Sequence, residues 1–342
     1  MSKINIKNAI NSFSALGKQL AEPDEQLMAI INDEQYHNAW FTPESVLRAV
    51  TAIGQMLNEA DLTTWLSKYN LSGDGQPKKV GLILAGNIPL VGFHDVLCVM
   101  ATGNHALIKT SSQDAYLIKH VLQRLVDIDG SFAAQFSFIE RLTDFDAIIA
   151  TGSNNSSRYF DYYFGKVPNI IRKNRNSIAL LTGNETAEDM FALGHDIFDY
   201  YGLGCRNVSK LLVPEGYIFN FFFESIEEEF KTIIHHHKYS NNYDYNKSIY
   251  LVNSDKHFDN GFLMAKEDER IASPLAVVYY SHYTDLQAAQ QLLTEQSENL
   301  QCIVTKAPID VQSQVVGFGQ SQQPALWDYA DGIDTMDFLA NL

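Results

Sequence analysis

From Val80 onward the chain alternates short apolar runs with helical patterns, and this alternation restricts the fold more than any other feature. VGLILAG (80–86) is an apolar run closed by glycine, which suits a buried strand. VGFHDVLCVMATG (91–103) suits a helix closed by Gly103, HALIKT (105–110) a second strand, and DAYLIKHVLQRLV (114–126) a second helix. QFSFIE (135–140) and AIIATG (147–152) read as further strands. A second such stretch holds SIALL (177–181), VSKLLV (208–213), SIYLV (248–252), PLAVVYY (274–280) and QCIVT (301–305) as strands. FFFESIEEEFKTII (221–234) and TDLQAAQQLL (284–293) read as helices between them. Strands alternating with helices imply a parallel sheet with crossover helices. Ligands of such sheets sit beyond the carboxyl ends of the strands. Asn87, Lys109 and the Gly152-Ser153 pair all fall at such ends.

Residues 1 to about 70 read as helices. In FTPESVLRAVTAIGQMLN, Thr42 is the expected N-cap, Pro43 the first helical residue and Glu44 part of the first turn. LSGDGQPK (71–78) is a breaker cluster and an expected boundary. The length, 342 residues, fits two domains or one large α/β unit, and 46% hydrophobic residues can fill a sizeable core. A formal net charge of −16 disfavours nucleic acid and anionic membranes as partners, though a local basic pocket can still take an anionic ligand. MSKINIKNAINS at the start has no apolar signal core, and no apolar run approaches the ~18–20 residues of a membrane span. Three distant cysteines make neither a disulfide framework nor metal-ligand spacing. The expected location is the cytoplasm.

Among the cysteines, Cys98 lies inside an apolar helical pattern and Cys302 inside a buried-strand pattern, so both read as core. Cys205 differs. In YGLGCRNVSK (201–210) it follows Gly202 and Gly204, which allow unusual dihedrals and close backbone approach. A reactive thiol and a buried one both fit this segment. His235, His236 and His237 are adjacent, so on a helix they point about 100° apart and cannot face one ion. They read as a solvated helix end. Neither a GxGxxG nor a Walker-type loop occurs. GSNNSSRYF (152–160) joins a strand end to a helix start, with Ser153 as cap candidate. The free N–H groups there could attract a phosphate, and a plain polar loop fits equally well.

Taken in order, these segments resemble the aldehyde dehydrogenase superfamily, and more closely its LuxC-type acyl-CoA reductases. LAGNIP (84–89) resembles the strand-end turn whose Asn donates to the oxyanion, which implies that role for Asn87. GNHALIKTSS (103–112) resembles the segment whose Lys holds the cofactor ribose, implying Lys109. ATGSNNSSR (150–158) resembles the turn whose Ser touches the cofactor pyrophosphate, implying Gly152 and Ser153. GLGCRNVSKLLVPEGY (202–217) resembles the catalytic segment, implying Cys205 as nucleophile. IASPLAVVYY (271–280) and VGFGQSQQPALWDYADGIDT (316–335) resemble later blocks of the family. The resemblance implies an aldehyde dehydrogenase-like α/β fold. Its expected parts are a helical segment (1–74), a Rossmann-like NADP-binding domain (75–180), a catalytic α/β domain (181–320) and a C-terminal segment (321–342).

Departures from the wider superfamily refine what the resemblance implies. Where hydrolytic members carry a water-activating Glu, this chain has Arg172, which suits an enzyme that does not use water. The Glu that grips nicotinamide ribose falls on Arg270, with Glu269 beside it as the nearest carboxylate. Ser112 stands where NAD-preferring members have a carboxylate, which favours NADPH. The implied activity is NADPH-dependent reduction of a long-chain fatty acyl-CoA to the aldehyde through an acyl-Cys intermediate. An acyl-transferring or synthetase partner in a reductase complex is the implied partner. Arg206 is a candidate to lower the thiol pKa, and Arg172, Lys173 and Arg175 a basic cluster for CoA phosphates or a solvated basic surface. An acyl-phosphate reductase and a non-catalytic subunit of the same fold remain alternatives.

Overall fold

The computed structural model describes residues 5–71 and 76–342; of the breaker cluster at 71–78, residues 72–75 lie outside that range. The chain divides into two compact units, 1–174 with 324–342, and 175–323.

The first unit opens with α1 (Ile6–Ala21), α2 (Glu25–His37), α3 (Pro43–Met56) and α4 (Glu59–Leu66). Each start is capped by its own polar residue: Asn5, Asp24, Thr42 and Asn58 accept from N–H groups of the first turn. Ala9, Phe13, Leu16 and Leu20 form one apolar stripe on α1 and are buried in the core that also covers the sheet. The sheet is built from β1 (Lys79–Ile83), β2 (His105–Lys109), β3 (Phe136–Phe138), β4 (Ala147–Thr151) and β5 (Asn169–Arg172). Its helices are α5 (Phe93–Ala101), α6 (Leu117–Ile128) and α7 (Asn154–Phe164). All strands run parallel in the order β3-β2-β1-β4-β5. That is a doubly wound order, with its reversal beside β1.

The second unit contains β6 (Asn176–Leu180), α8 (Ala187–Phe198), β7 (Val208–Pro214), α9 (Asn220–Phe230) and α10 (His237–Asn253). It continues with β8 (Phe258–Asp259), β9 (Met264–Glu267), β10 (Val277–Tyr283), α11 (Leu286–Glu295), β11 (Leu300–Val304) and β12 (Gln314–Val316). Its seven strands follow the order β12-β11-β6-β7-β10-β9-β8, parallel except for the β8–β9 pair. One predicted strand is wrong. SIYLV (248–252) lies inside α10. Tyr239, Tyr243, Asn246 and Tyr250 recur at helical spacing on its buried face, while Leu251 and Val252 are exposed. The apolar run was two helix faces read as one strand. The His triplet sits at a helix start, where the His236 ring accepts from the Tyr239 N–H. No helix among the described residues is long and apolar enough to cross a membrane.

The chain returns to the first unit as α12 (Thr335–Ala340) and the segment before it. The Leu326 carbonyl accepts from His94 Nε2 at 2.9 Å. The Tyr329 hydroxyl receives Trp65 Nε1–H at 2.7 Å and lies 2.6 Å from the Tyr69 hydroxyl. Thr335 Oγ1 accepts from Arg172 Nη2 at 2.9 Å, and Arg172 Nη1 is ion-paired with Asp95. Arg172 and Asp95 are both buried. The expectation that Arg172, Lys173 and Arg175 form one basic cluster is therefore corrected. Arg172 is an internal brace, and the Arg175 guanidinium donates to the Leu300 carbonyl. Burial of a guanidinium is tolerable only with such partners. Asp95→Ala, which strands that charge, is expected to cost about 3–5 kcal/mol of stability, whereas Asp95→Ala/Arg172→Met should recover most of it. Urea unfolding of both variants checks this; equal losses would show that the ion pair is not what holds the C-terminal segment in the first unit.

Candidate active site

In the first unit the expected residues gather along one edge of the sheet. Ile83, the last residue of β1, is flanked in register by Lys109 of β2 and Ala150 of β4. Lys109 is exposed, and so are Asn87, Ser112 and Ser153 just beyond the strand ends. The turn after β1 must pass close to the loop after β2: a Cβ on Gly86 would lie 2.6 Å from Ser111 Oγ. Ser153 is the N-cap of α7, its Oγ accepting from the Ser156 N–H at 3.2 Å. Gly152 lies against Ser156 and Phe160, where a Cβ would come within 2.9 Å of both. An exposed helix N-terminus, a small residue before it and an exposed ammonium at the same sheet edge fit a pyrophosphate-bearing dinucleotide.

The loop that carries Ser112 is fastened from behind. Asp114 Oδ2 accepts from the Leu90 N–H at 2.7 Å, tying this loop to the turn that carries Asn87. Leu90 needs the tie, since its φ is 57°. Asn38, the C-cap of α2, donates to the Gln113 carbonyl at 3.3 Å, and His37 stacks on Tyr116 at 4.1 Å. Glu34 of α2 accepts from the Leu117 N–H and faces Asp114. Sequence reading missed both carboxylates, because Glu34 sits between Asp33 and Gln35 and Asp114 between Gln113 and Ala115, with no local sign of burial.

In the second unit Cys205 occupies a braced turn between α8 and β7. Of the three cysteines it alone is not buried. Burial pushes the Cys98 and Cys302 thiols up, so both stay protonated. The chain enters the turn through three left-handed residues, Tyr200, Tyr201 and Gly202, at φ 55°, 59° and 76°. Left-handed backbone at the two tyrosines costs roughly 1 kcal/mol or more each. Asn207 offsets it. Its side-chain Nδ2 donates to the carbonyls of Asp196, Ile197 and Asp199, and its Oδ1 accepts from the Gly204 N–H at 2.8 Å. Its backbone N–H donates to the Gly204 carbonyl at 3.1 Å. On the other side the Ser177 hydroxyl donates to the Cys205 carbonyl at 3.1 Å. The peptide planes on both sides of the Cys205 Cα are thereby oriented.

Glu269 and Arg270 follow β9. Glu269 is exposed, and its carbonyl accepts from Lys210 Nζ at 2.9 Å, as does that of Asp268 at 3.0 Å. Lys210 lies on β7, the strand that leaves the Cys205 turn; burial pushes its ammonium pKa down. Arg270 is engaged with Asp268 at 2.6 Å and lies 5.1 Å over the Tyr279 ring. That pairing holds the Asp268 carboxyl down at about 2. Arg206 donates to Gln314 Oε1 at 3.0 Å. Asp196 of α8 accepts from the N–H groups of Gly319 and Ser321, which fixes the GFGQS loop.

The buried carboxylates behind the Ser112 loop make a pH prediction. Burial pushes Asp114 and Glu34 up to about 7, with the Glu34 charge adding to the rise at Asp114 and the Asp33 charge to that at Glu34. Both folded values lie above the unfolded ones near 4, so the folded state holds extra protons. Stability should then fall by several kcal/mol as pH rises from about 4 to about 7, and level off above that. Asp114→Asn keeps an acceptor for Leu90 and removes one titration. Urea midpoints at pH 5 and pH 8 should lie closer together in the variant, which should be the more stable protein at pH 8. An unchanged gap would place the titration elsewhere.

Similarity to known proteins bears on the fold and the family. The chain is similar to a long-chain acyl-protein thioester reductase of Aliivibrio fischeri, 34% identical over 70 residues. That match covers 20% of this chain and spans only 15% of the relative's length. An NAD-dependent benzaldehyde dehydrogenase of Corynebacterium glutamicum superposes with TM-score 0.67 at 14% identity, covering 92% of this chain and 81% of that one. An NADP-dependent enzyme of E. coli superposes with TM-score 0.67 at 12% identity, covering 92% and 78%. The fold is thus aldehyde dehydrogenase-like. The family described as acyl-CoA reductase (LuxC) matches residues 17–213, a span that includes Asn87, Lys109, Ser153 and Cys205. With more than half of its length matched, the chain belongs to the LuxC acyl-CoA reductase family.

Proposed function

We propose that this protein reduces a long-chain fatty acyl thioester to the aldehyde, with Cys205 as the nucleophile and NADPH as the reductant. The braced, partly exposed Cys205 turn is the observation that carries this reading. The Cys205 thiolate attacks the thioester carbonyl; its C–S bond to the leaving group breaks, and the leaving thiolate takes up a proton. The Cys205 N–H and the Asn87 amide are the proposed oxyanion donors, and loss of one such donor typically costs about 3–4 kcal/mol of barrier. Lys109, Ser112, Gly152, Ser153 and Glu269 would hold the cofactor. When bound, the reduced nicotinamide supplies the hydride that turns the acyl-Cys205 thioester into aldehyde and free thiol. Arg172, enclosed by Asp95 and Thr335, has no route to act as a base for water.

The substrate proposed is acyl-CoA. The Aliivibrio relative is described as acting on acyl-protein thioesters, which present the same carbonyl to the same thiol. A partner that transfers or activates the acyl group, and a cytoplasmic location, belong to the same proposal. Ser112 leaves room for a 2′-phosphate that a carboxylate would repel, hence NADPH.

Incubation of the protein with palmitoyl-CoA and NADPH should release thiol and aldehyde in equal amounts as NADPH is consumed. Cys205→Ala should abolish the reaction, and Cys98→Ala should retain it. Ser112→Glu should lower the preference for NADPH over NADH by at least about tenfold, since a facing like charge costs several kcal/mol at a desolvated contact. Turnover of a palmitoyl-protein thioester or of palmitoyl phosphate without turnover of palmitoyl-CoA would move the substrate class. Activity in Cys205→Ala would remove the mechanism.

A further inference from the structure

The hydroxyl of Ser177 stands between two sulfur-bearing residues, and its proton can go only one way. Ser177 is fully buried on β6. Its Oγ lies 3.1 Å from the Cys205 carbonyl oxygen and 3.1 Å from Cys302 Sγ. A carbonyl can only accept, so the single hydroxyl proton points at Cys205. The contact with Cys302 must then run from S–H to Oγ. Cys302 is itself buried on β11, beside β6 in the sheet, and stays a protonated thiol able to donate. The result is a chain of two hydrogen bonds, Cys302 S–H to Ser177 O–H to Cys205 C=O, in which each bond polarises the next.

We propose that Ser177 is a positioning residue for Cys205, and that the Cys302 thiol sets the direction of the Ser177 hydroxyl. This rests on the reading of Cys205 as nucleophile. The bond to the Cys205 carbonyl orients the peptide on the C-terminal side of the nucleophile, as Asn207 orients the one on the N-terminal side. Without it the Cys205 ψ angle is free to relax, and both sulfur and N–H leave the geometry in which they meet one carbonyl. Displacements of about 1 Å can cost on the order of 100-fold in rate.

Rapid quenching and intact-protein mass give the rate constant for acyl transfer from palmitoyl-CoA to Cys205. Ser177→Ala should lower it by about 10- to 100-fold while leaving the KM for NADPH within about twofold of the parent. Cys302→Ala should lower it by a smaller factor, and Cys302→Ser, which keeps an O–H donor, should stay near the parent rate. Cys302→Ala placed in Ser177→Ala should add nothing further, because the relay is already broken; independent packing losses would multiply. Parent-like acylation in Ser177→Ala, or multiplying losses, overturns the inference. If Ser177→Ala does not fold, the contrast between Cys302→Ser and Cys302→Ala decides it, and equal rates overturn it. A parent protein that takes no acyl group on Cys205 overturns the nucleophile reading, and this inference with it.

Discussion

The buried amide of Asn207 is the interaction on which the cysteine turn depends. One side chain serves three carbonyls at the end of α8 and one N–H of the turn, and its backbone closes the same turn. Fully used, such a group fixes a single conformation; partly used, it would be a cost of several kcal/mol. The left-handed residues at 200–202 are sustainable because their strain is enclosed by these bonds. Ser177 and Lys210 extend the same logic outward. Ser177 reaches the cysteine carbonyl from β6, and Lys210 holds the Asp268-Glu269 turn from β7. A cysteine held this way has little backbone freedom, which suits the nucleophile proposed for it.

The first unit solves a different problem, holding three loops level along one sheet edge. The sheet supplies the register and the helices behind it supply the grip. Asp114 links the Asn87 turn to the Ser112 loop, and α2 clamps that loop through Glu34, Asn38 and His37. The C-terminal strap closes the unit by burying Leu326 and Tyr329 and completing the partners of Arg172. The ALWDYADGIDT segment thus has a structural task within this unit that its resemblance to a family signature does not reveal.

Much of this was legible in the chain. The βα alternation from Val80 and the glycine-flanked Cys205 predicted strands, helices and the odd thiol out, because burial patterns at periods of 2 and 3.6 survive in single sequences. The Thr42-Pro43 helix start followed from capping chemistry alone. What stayed hidden were partners far apart in sequence. Arg172 looked like part of a basic cluster, because Asp95 and Thr335 are brought to it only by the fold. Glu34 and Asp114 carried no local sign of burial. SIYLV misled because apolar neighbours in a helix can face opposite ways.

The central claim is that Cys205 carries the acyl group and that water does not remove it. Intact-protein mass spectrometry after mixing with palmitoyl-CoA alone tests it most directly, followed by peptide mapping of the adduct. The account predicts one palmitoyl thioester, on Cys205, that persists without reductant, returns palmitoyl-CoA when CoA is added and leaves as aldehyde when NADPH is added. An adduct on Cys98 or Cys302, or rapid loss from Cys205 as free fatty acid, would contradict it.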